Sequence, residues 1–534
     1  MSDSVATPYF TFGIALLLTI IFSFIPERWI KPKPPSLNPR SILLQSLLVS
    51  LLFLAVTLIV QRPIFAGLAV SIFLIILSGV SNAKFQALKE PMVFSDISMF
   101  SQAFKHPRLY FPFLGLAPVI IMPLIIVVLI YAVLTLEPSL QITAQRILTT
   151  VIAIVFYFIT AKSISEGLKL SEDPEIDNTS YGLLNSLFTY TIQANSSKHK
   201  ATIENVLLAS PFTASDQNTP KIVLEKSPPP FLPVSANQPL QNITVIQSES
   251  FFDARRMHES INSDVLENYD NCIAESTLFG KLNVPAWGAN TMRTEFSFLT
   301  GLKYEEMGLY RYYPYQYLHK MPIVSLAKLL HSQGYHCVCI HPHPASFFGR
   351  DRIFPQMGFD EFIDIESFDT KQTFGPYISD QAVTDKILEI SEKYSNKDKD
   401  KPLFIFAITM ENHGPLHLEK TTKDEQDGYY STAPMEPIND LTVYLRHLKN
   451  ADKMVEKLTS AYRQSDKPST LCFYGDHIPS MPKIYQQLAY EDRDSDYFIW
   501  NNKTDKTSEK SSTQLDVNVD SLAVMLLKQT GNIE

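Results

Sequence analysis

Hydrophobic and polar positions divide this chain unevenly. In the first third, apolar runs at residues 9–25, 42–60, 64–80, 113–134 and 147–161 are each close to the length an α-helix needs to cross a bilayer. About five spanning helices are therefore expected. The first run has no basic stretch ahead of it and no evident small-residue cleavage site, and further spans follow it, so it reads as a retained span and not a cleaved signal. Between the third and fourth runs, residues 82–91 and Phe94-Ser-Asp-Ile97 mix polar and apolar positions. That pattern suits a segment lying along the membrane interface or a plain amphipathic connector. Residues 162–200 turn amphipathic, as in Tyr181-Gly-Leu-Leu-Asn-Ser-Leu-Phe188. Seven prolines between Pro211 and Pro239, three of them consecutive at Pro228, Pro229 and Pro230, exclude a long helix and predict an extended spacer.

From about residue 242 the period changes. Short apolar runs at 243–247, His336–Ile340, Leu403–Ile408 and 471–474 alternate with helical patterns at 293–299, 323–332, 379–394 and Asn439–Arg463. This alternation is the mark of an α/β domain with a largely parallel sheet. Gly334 stops the second helical pattern, and Ser379 is a candidate cap for the third. In Asn439–Arg463, the residues Leu441, Tyr444, Leu445, Leu448, Met454, Val455 and Leu458 fall on one face and read as core. The expected organisation is a transmembrane domain at 1–162, an amphipathic and Pro-rich linker at 163–240, and a catalytic domain at 241–534.

Composition changes this picture little. The net charge of −9 and the lack of a long basic patch argue against a nucleic-acid surface, so no nucleic-acid partner is expected. The four cysteines, Cys272, Cys337, Cys339 and Cys472, show no zinc-ribbon spacing and read as small core residues.

The chemistry is concentrated where strands end, which is where open α/β sheets form their sites. Those ends read Glu249, His341-Pro-His343, Asn412-His413 and Asp476-His477. A lone histidine is ordinarily a satisfied core or surface residue, but four strands ending in acidic or imidazole groups point to one site. Glu249, Asp476 and His477, with the hydroxyl of Thr291, form a ligand set for one divalent cation. Thr291 follows Gly288-Ala-Asn and precedes a helical pattern, so it stands at a helix N-terminus, where N–H groups and the dipole favour a phosphate. The plain reading of a Thr in that place is an N-cap. Beside a cation, its hydroxyl pKa falls and it becomes a candidate nucleophile for phosphorus. The loop from His341 to Arg352 adds Arg350 and Arg352, whose planar forks suit a phosphate or a salt bridge to Asp351 or Asp360.

Three strings, Gly288-Ala-Asn-Thr-Met-Arg-Thr-Glu-Phe296, Ser248-Glu-Ser-Phe251 and Tyr474-Gly-Asp-His477, together resemble the lipoteichoic acid synthase and phosphoglycerol transferase branch of the alkaline phosphatase and sulfatase superfamily. The resemblance runs through most of residues 240–530, and the apolar first third is similar to the family's membrane portion. It implies a sulfatase-like α/β domain with a mixed, largely parallel sheet behind about five membrane helices. It implies Thr291 as the catalytic nucleophile, manganese as the metal, with magnesium or zinc compatible with the same donors, and His341, Arg350 and His413 as substrate-binding residues. Asn290 is a weaker candidate for orienting a phosphate oxygen, and residues 516–527 look like a closing helix. Relatives carry a Trp just before the arginine where this chain has Phe348-Gly349.

The implied activity is transfer of glycerolphosphate from a phospholipid, phosphatidylglycerol, through a covalent phosphothreonine to an envelope glycan or glycerolphosphate polymer. Phosphoethanolamine transfer to a surface glycan or lipid is the rival with the same chemistry. A non-catalytic membrane scaffold in envelope assembly is the rival of another class. A sulfatase activity would need a Cys or Ser in a Cys-x-Pro-x-Arg type motif, and none of the cysteines has one. The expected location is the bacterial cytoplasmic membrane, with the catalytic domain on the outer side. Charge counting points the other way, because Arg28, Lys31, Lys33 and Arg40 follow the first run, and Lys84, Lys89, Lys105 and Arg108 follow the third. Cations that hold anionic lipid head groups at the outer surface would reconcile the two.

Overall fold

The computed structural model describes the chain apart from residues 1–2, 37, 98, 100–123, 125, 129, 132–134, 142, 214–239, 398–400, 433, 435, 504–511 and 534. It divides into two compact units, Met1–Lys200 and Ala201–Glu534.

In the first unit, α1 (Asp3–Glu27), α2 (Pro39–Val60), α3 (Pro63–Leu88) and α4 (Ala144–Glu166) are, among the described residues, the four helices long and apolar enough to cross a membrane. The expected span at 113–134 lies largely outside the described residues, as does most of the Pro-rich spacer. Helix starts follow local chemistry. Asn38 accepts the Ser41 N–H and Pro39 opens α2, while Pro63 opens α3. The amphipathic stretch forms α5 (Pro174–Tyr181) and α6 (Leu183–Ala194), which meet at Gly182, where φ is +93°. The Glu27 carboxylate accepts the N–H groups of Leu183 (3.0 Å) and Leu184 (3.3 Å), satisfying donors that a buried helix start would otherwise leave unpaired. After α3, Lys84 is held by Glu90 and Asp96, each at 2.7 Å, and Asp96 also accepts the Val93 N–H. The chain is thereby folded back on the end of α3.

The second unit is built on a nine-stranded sheet. Its main strands are β1 (Asn242–Ser248), β2 (Leu278–Asn283), β3 (His336–Ile340), β4 (Glu361–Ile363), β7 (Leu403–Ile408), β8 (Ser469–Gly475) and β9 (Ser495–Asn501), with short β10 (Thr513–Gln514) and β11 (Val517–Asn518) beside β2. A separate hairpin joins β5 (Thr373–Phe374) and β6 (Tyr377–Ile378). The order is β10-β2-β9-β8-β1-β7-β3-β4. β1 lies in the middle, parallel to β7 and β8, and all seven residues of β8 are buried, as continuous apolar runs in a two-sided sheet require. β9 is antiparallel to both β8 and β2, so the sheet is mixed.

After α7 (Glu267–Glu275), the helices that matter for the site are α8 (Thr291–Thr300), α9 (Asp380–Lys397), α10 (Asn439–Arg463) and α11 (Val519–Gln529), which packs on α8. α8 is longer at both ends than its periodicity predicts. The pattern at 323–332 begins only at Leu326, where Ser325 accepts the Lys328 N–H and so sets the start. Ser379 Oγ accepts the Ala382 N–H, the expected cap of α9. All seven apolar residues named on α10 are buried, and so are all four cysteines, which are unpaired.

Candidate active site

β1 and β8 run side by side, so the residues that follow them, Glu249 and Asp476-His477, emerge together. The approach is backbone-tight. A Cβ on Gly475 would stand 1.8 Å from the Phe251 carbonyl oxygen, so only glycine fits there. Ser250, in the left-handed region at φ +54°, turns the chain after Glu249, and its N–H donates to Asp476 Oδ1 at 2.8 Å. Its hydroxyl donates to Glu249 Oε1 at 2.9 Å, and the Glu249 N–H donates to Thr409 Oγ1 at the end of β7.

Thr291 is the first residue of α8. Asn290 before it adopts φ +70°, and Gly288, at φ +68°, donates its N–H to the Ile478 carbonyl at 3.0 Å. These contacts pin the turn against the segment after β8. Thr294 Oγ1, one turn into α8, donates to the Asp476 carbonyl at 2.7 Å. The Thr291 hydroxyl then lies 3.4 Å from Glu249 Oε2.

Glu249, Asp476 and His477 each offer one ligand atom within 4.8 Å of the others, and all three are buried. His477 Nε2 is 3.6 Å from Glu249 Oε1 and 3.4 Å from Asp476 Oδ2. The His477 Nδ1–H donates to the Ile478 carbonyl at 3.0 Å, so Nε2 turns its lone pair toward two carboxylates. Neither Nε2 nor Asp476 Oδ2 has a hydrogen-bond partner. Burial, then repulsion from Asp476, pushes the Glu249 carboxyl up to about 8. Two carboxylates and an imidazole lone pair that converge with Asp476 Oδ2 and His477 Nε2 unpaired fit a divalent cation, with Thr291 Oγ1 at its edge.

The other expected residues form a second group. His341, at the end of β3, is buried. Its Nδ1–H donates to the Ile408 carbonyl at 3.2 Å, and Arg350 Nη1 donates to its Nε2 at 3.2 Å. Burial, together with the Arg350 charge, holds its pKa well below the usual range. Arg350 is 1% exposed, whereas Arg352 is 63% exposed by side chain and only 3.9 Å from Asp351, so one arginine of the loop turns inward. The Nδ1–H of His413 donates to the Gly414 carbonyl at 2.7 Å, which leaves Nε2 for a ligand, and its ring interacts electrostatically with Asp476. Asn290 is only partly buried and makes no side-chain cap bond.

Two buried polar residues, Glu295 and Asn412, stand in stretches the sequence singles out but receive no role there. Glu295, completely buried, holds Arg350 through Nη2 at 2.8 Å, and Tyr315 donates to Glu295 Oε1 at 2.7 Å. Asn412, at the end of β7, has both amide atoms buried and unpaired. The sequence sets it beside His413 at a strand end without giving it a function.

A further cluster joins Asp380, Glu411 and His447. The Asp380 N–H donates to Glu411 Oε2 at 2.7 Å, and His447 pairs with Glu411 at 3.2 Å and Glu419 at 2.9 Å. Burial alone would lower the His447 pKa, but the hydrogen bonds to Glu411 and Glu419 outweigh it and push it up to about 9. A raised folded-state pKa stabilises the fold fully below the unfolded value of 6.5 and loses that contribution as pH rises through about 9. The gap in thermal midpoint between the wild type and His447→Gln is therefore expected to be widest near pH 6, and to shrink steadily toward pH 9 in unfolding scans of the full chain.

A sulfatase family model matches residues 241–531. The capsular polysaccharide biosynthesis protein RkpI of Rhizobium meliloti (strain 1021) is 25% identical over 472 residues, covering 84% of this chain and 80% of the relative. Lipoteichoic acid synthase 1 of Bacillus subtilis (strain 168) is 24% identical over 147 residues, 27% of this chain and 22% of the relative. Among solved structures, the integral membrane lipooligosaccharide phosphoethanolamine transferase A of Neisseria meningitidis superposes with a TM-score of 0.51 at 13% identity, covering 98% of this chain and 95% of that one. That likeness is one of fold.

Proposed function

The chain belongs to the sulfatase family, and from that premise we propose that it is a membrane-anchored, metal-dependent phosphoglycerol transferase. The observation that carries the reading is the Thr291 hydroxyl at the start of a buried helix, 3.4 Å from Glu249 and beside the convergent donors of Asp476 and His477. Residues 1–162 would hold the protein in the bilayer where the donor lipid lies, 163–240 would link, and 241–534 would carry the chemistry on the outer face of the cytoplasmic membrane.

Glu249, Asp476, His477 and Thr291 Oγ1 would hold one divalent cation, manganese in the first instance. When bound, the cation supplies positive charge that favours the Thr291 alkoxide and offsets charge on the phosphoryl oxygens. Thr291 Oγ1 gives up its proton, which balances the one taken by the leaving oxygen, and attacks the phosphorus of the lipid head group. The bond from phosphorus to the diacylglycerol oxygen breaks, that oxygen takes a proton, and glycerolphosphate stays on Thr291. An acceptor hydroxyl then attacks the same phosphorus, loses its proton, and returns Thr291 to its free form. His413 Nε2 stands ready to move a proton at the acceptor or leaving oxygen. Arg350, behind His341, adds positive charge at the phosphoryl side.

The choice of glycerolphosphate follows the Asn290-Thr-Met-Arg-Thr-Glu295 context and the similarity to a lipoteichoic acid synthase, and the choice of a glycan or polymer acceptor follows the kinship with a capsular polysaccharide protein. The test is the intact mass of the purified full chain in detergent after incubation with manganese and phosphatidylglycerol. A glycerolphosphate adduct, absent from Thr291→Ala, is the expected result. An adduct formed only from phosphatidylethanolamine would replace the head group and keep the mechanism. No adduct from either lipid, in protein shown to be folded and metal-loaded, would overturn the reading.

A further inference from the structure

Arg350 is the most constrained cation of the site. Its Nε–H donates to Glu295 Oε1 and Oε2 at 3.1 and 3.2 Å, Nη2 donates to Oε2 at 2.8 Å, and Nη1 donates to His341 Nε2 at 3.2 Å. Glu295 is completely buried at the middle of α8 and takes the Tyr315 hydroxyl at 2.7 Å, while the Phe348 ring lies 5.2 Å from the guanidinium carbon. A guanidinium has five N–H groups and no acceptor. These contacts use three, one on each nitrogen, and leave one on each Nη.

Donor chemistry fixes every direction in this chain of contacts. Arginine only donates, so His341 Nε2 must accept, and the proton of the neutral ring must sit on Nδ1, where it meets the Ile408 carbonyl. The result is one continuous line: Tyr315 donates to Glu295, Arg350 donates to Glu295 and to His341, and His341 donates to the backbone. Arg350 is therefore not a freely swinging cation. Its fork is half occupied by a carboxylate, and its two remaining N–H groups point where the Glu295 pairing leaves them. A buried ion pair of this kind gives little net stability over a well-packed apolar pair, so its retention suits a role in orientation.

We propose that Glu295, itself supported by Tyr315, is a positioning residue: it holds Arg350 so that two Nη N–H groups stay directed for a phosphoryl oxygen and His341 stays a single neutral tautomer protonated at Nδ1. The phosphoryl part of this rests on the function proposed above; the tautomer does not. Glu295 and Tyr315 touch no substrate in this scheme and act through Arg350.

The experiment is nitrogen NMR of the full chain, labelled at its histidine nitrogens and held in detergent micelles, with the His341 signals assigned by their loss in His341→Asn. The wild type is expected to show one Nδ1-protonated tautomer. Glu295→Gln leaves the Arg350 fork without its carboxylate, and the His341 signals are expected to shift toward a mixture of the two tautomers, with the remaining histidine signals kept and the thermal midpoint lowered, because a buried cation loses its partner. Where Glu295→Gln fails to fold, Arg350→Lys, which keeps the charge and removes the fork, is read in the same way. An unchanged His341 tautomer in a folded Glu295→Gln or Arg350→Lys protein overturns the proposal. Once a donor is in hand, Glu295→Gln should lower kcat/KM by about 10- to 100-fold, as loss of a supporting contact typically does. A tautomer change without any lipid adduct on the wild type would retain the positioning role and remove the transferase reading.

Discussion

Thr291→Val is expected to fold like the wild type and to lose transfer by about ten-thousand-fold or more, the scale seen when a covalent nucleophile is removed. Valine keeps the branched shape and deletes only the hydroxyl, so the packing of a residue that is 9% exposed changes little. The helix start does not depend on the Thr291 side chain, because Asn290 and Gly288 set the turn through their backbone angles and the bond to Ile478. Thr291→Ser restores the oxygen and should recover part of the activity. A Thr291→Val protein that transfers at the wild-type rate, measured with the same lipid donor, would remove Thr291 as the nucleophile.

The second large effect concerns the cation. Chelation of the wild type is expected to abolish transfer, and added manganese to restore it. In thermal unfolding, the wild type should gain stability as manganese is added, by about 2.7 kcal/mol at a hundredfold excess over Kd. Glu249→Gln should gain almost nothing, because one of the two carboxylates is gone and cation affinity falls by about a hundredfold or more. The chelated proteins should differ in the opposite sense or not at all. Without a cation, Glu249 is buried against Asp476, with burial and that repulsion both opposing its charge, so an uncharged amide in its place relieves the site. A manganese-dependent midpoint shift of equal size in both proteins would place the cation elsewhere.

Much of this was legible in the chain because the relevant signals are local. The four helices long and apolar enough to cross a membrane, α1 to α4, are continuous apolar runs, and β1, β3, β7 and β8 are short apolar runs closed by polar residues. Three of the four proposed cation ligands, Glu249, Asp476 and His477, directly follow two adjacent strands, so reading strand ends brings them together. What stayed hidden depends on distance along the chain or on sheet edges. β2 and β9 carry lysine, glycine and aspartate among their apolar residues, and their antiparallel pairing has no local mark. The bond from Arg350 to Glu295 spans 55 residues, and nothing in either segment announces it. The charges flanking the spans still predict one orientation while the resemblance predicts the other.

Helix α8 has no outside: all ten residues from Thr291 to Thr300 are buried, Arg293 and Glu295 among them. Most helices of a globular domain keep an exposed stripe, as Asp385, Glu389 and Lys393 form on α9. A saturation scan across this protein would find no such stripe in α8. Tolerance to mutation should drop to a trough there one whole helix wide, as even as that of the fully buried strands β7 and β8.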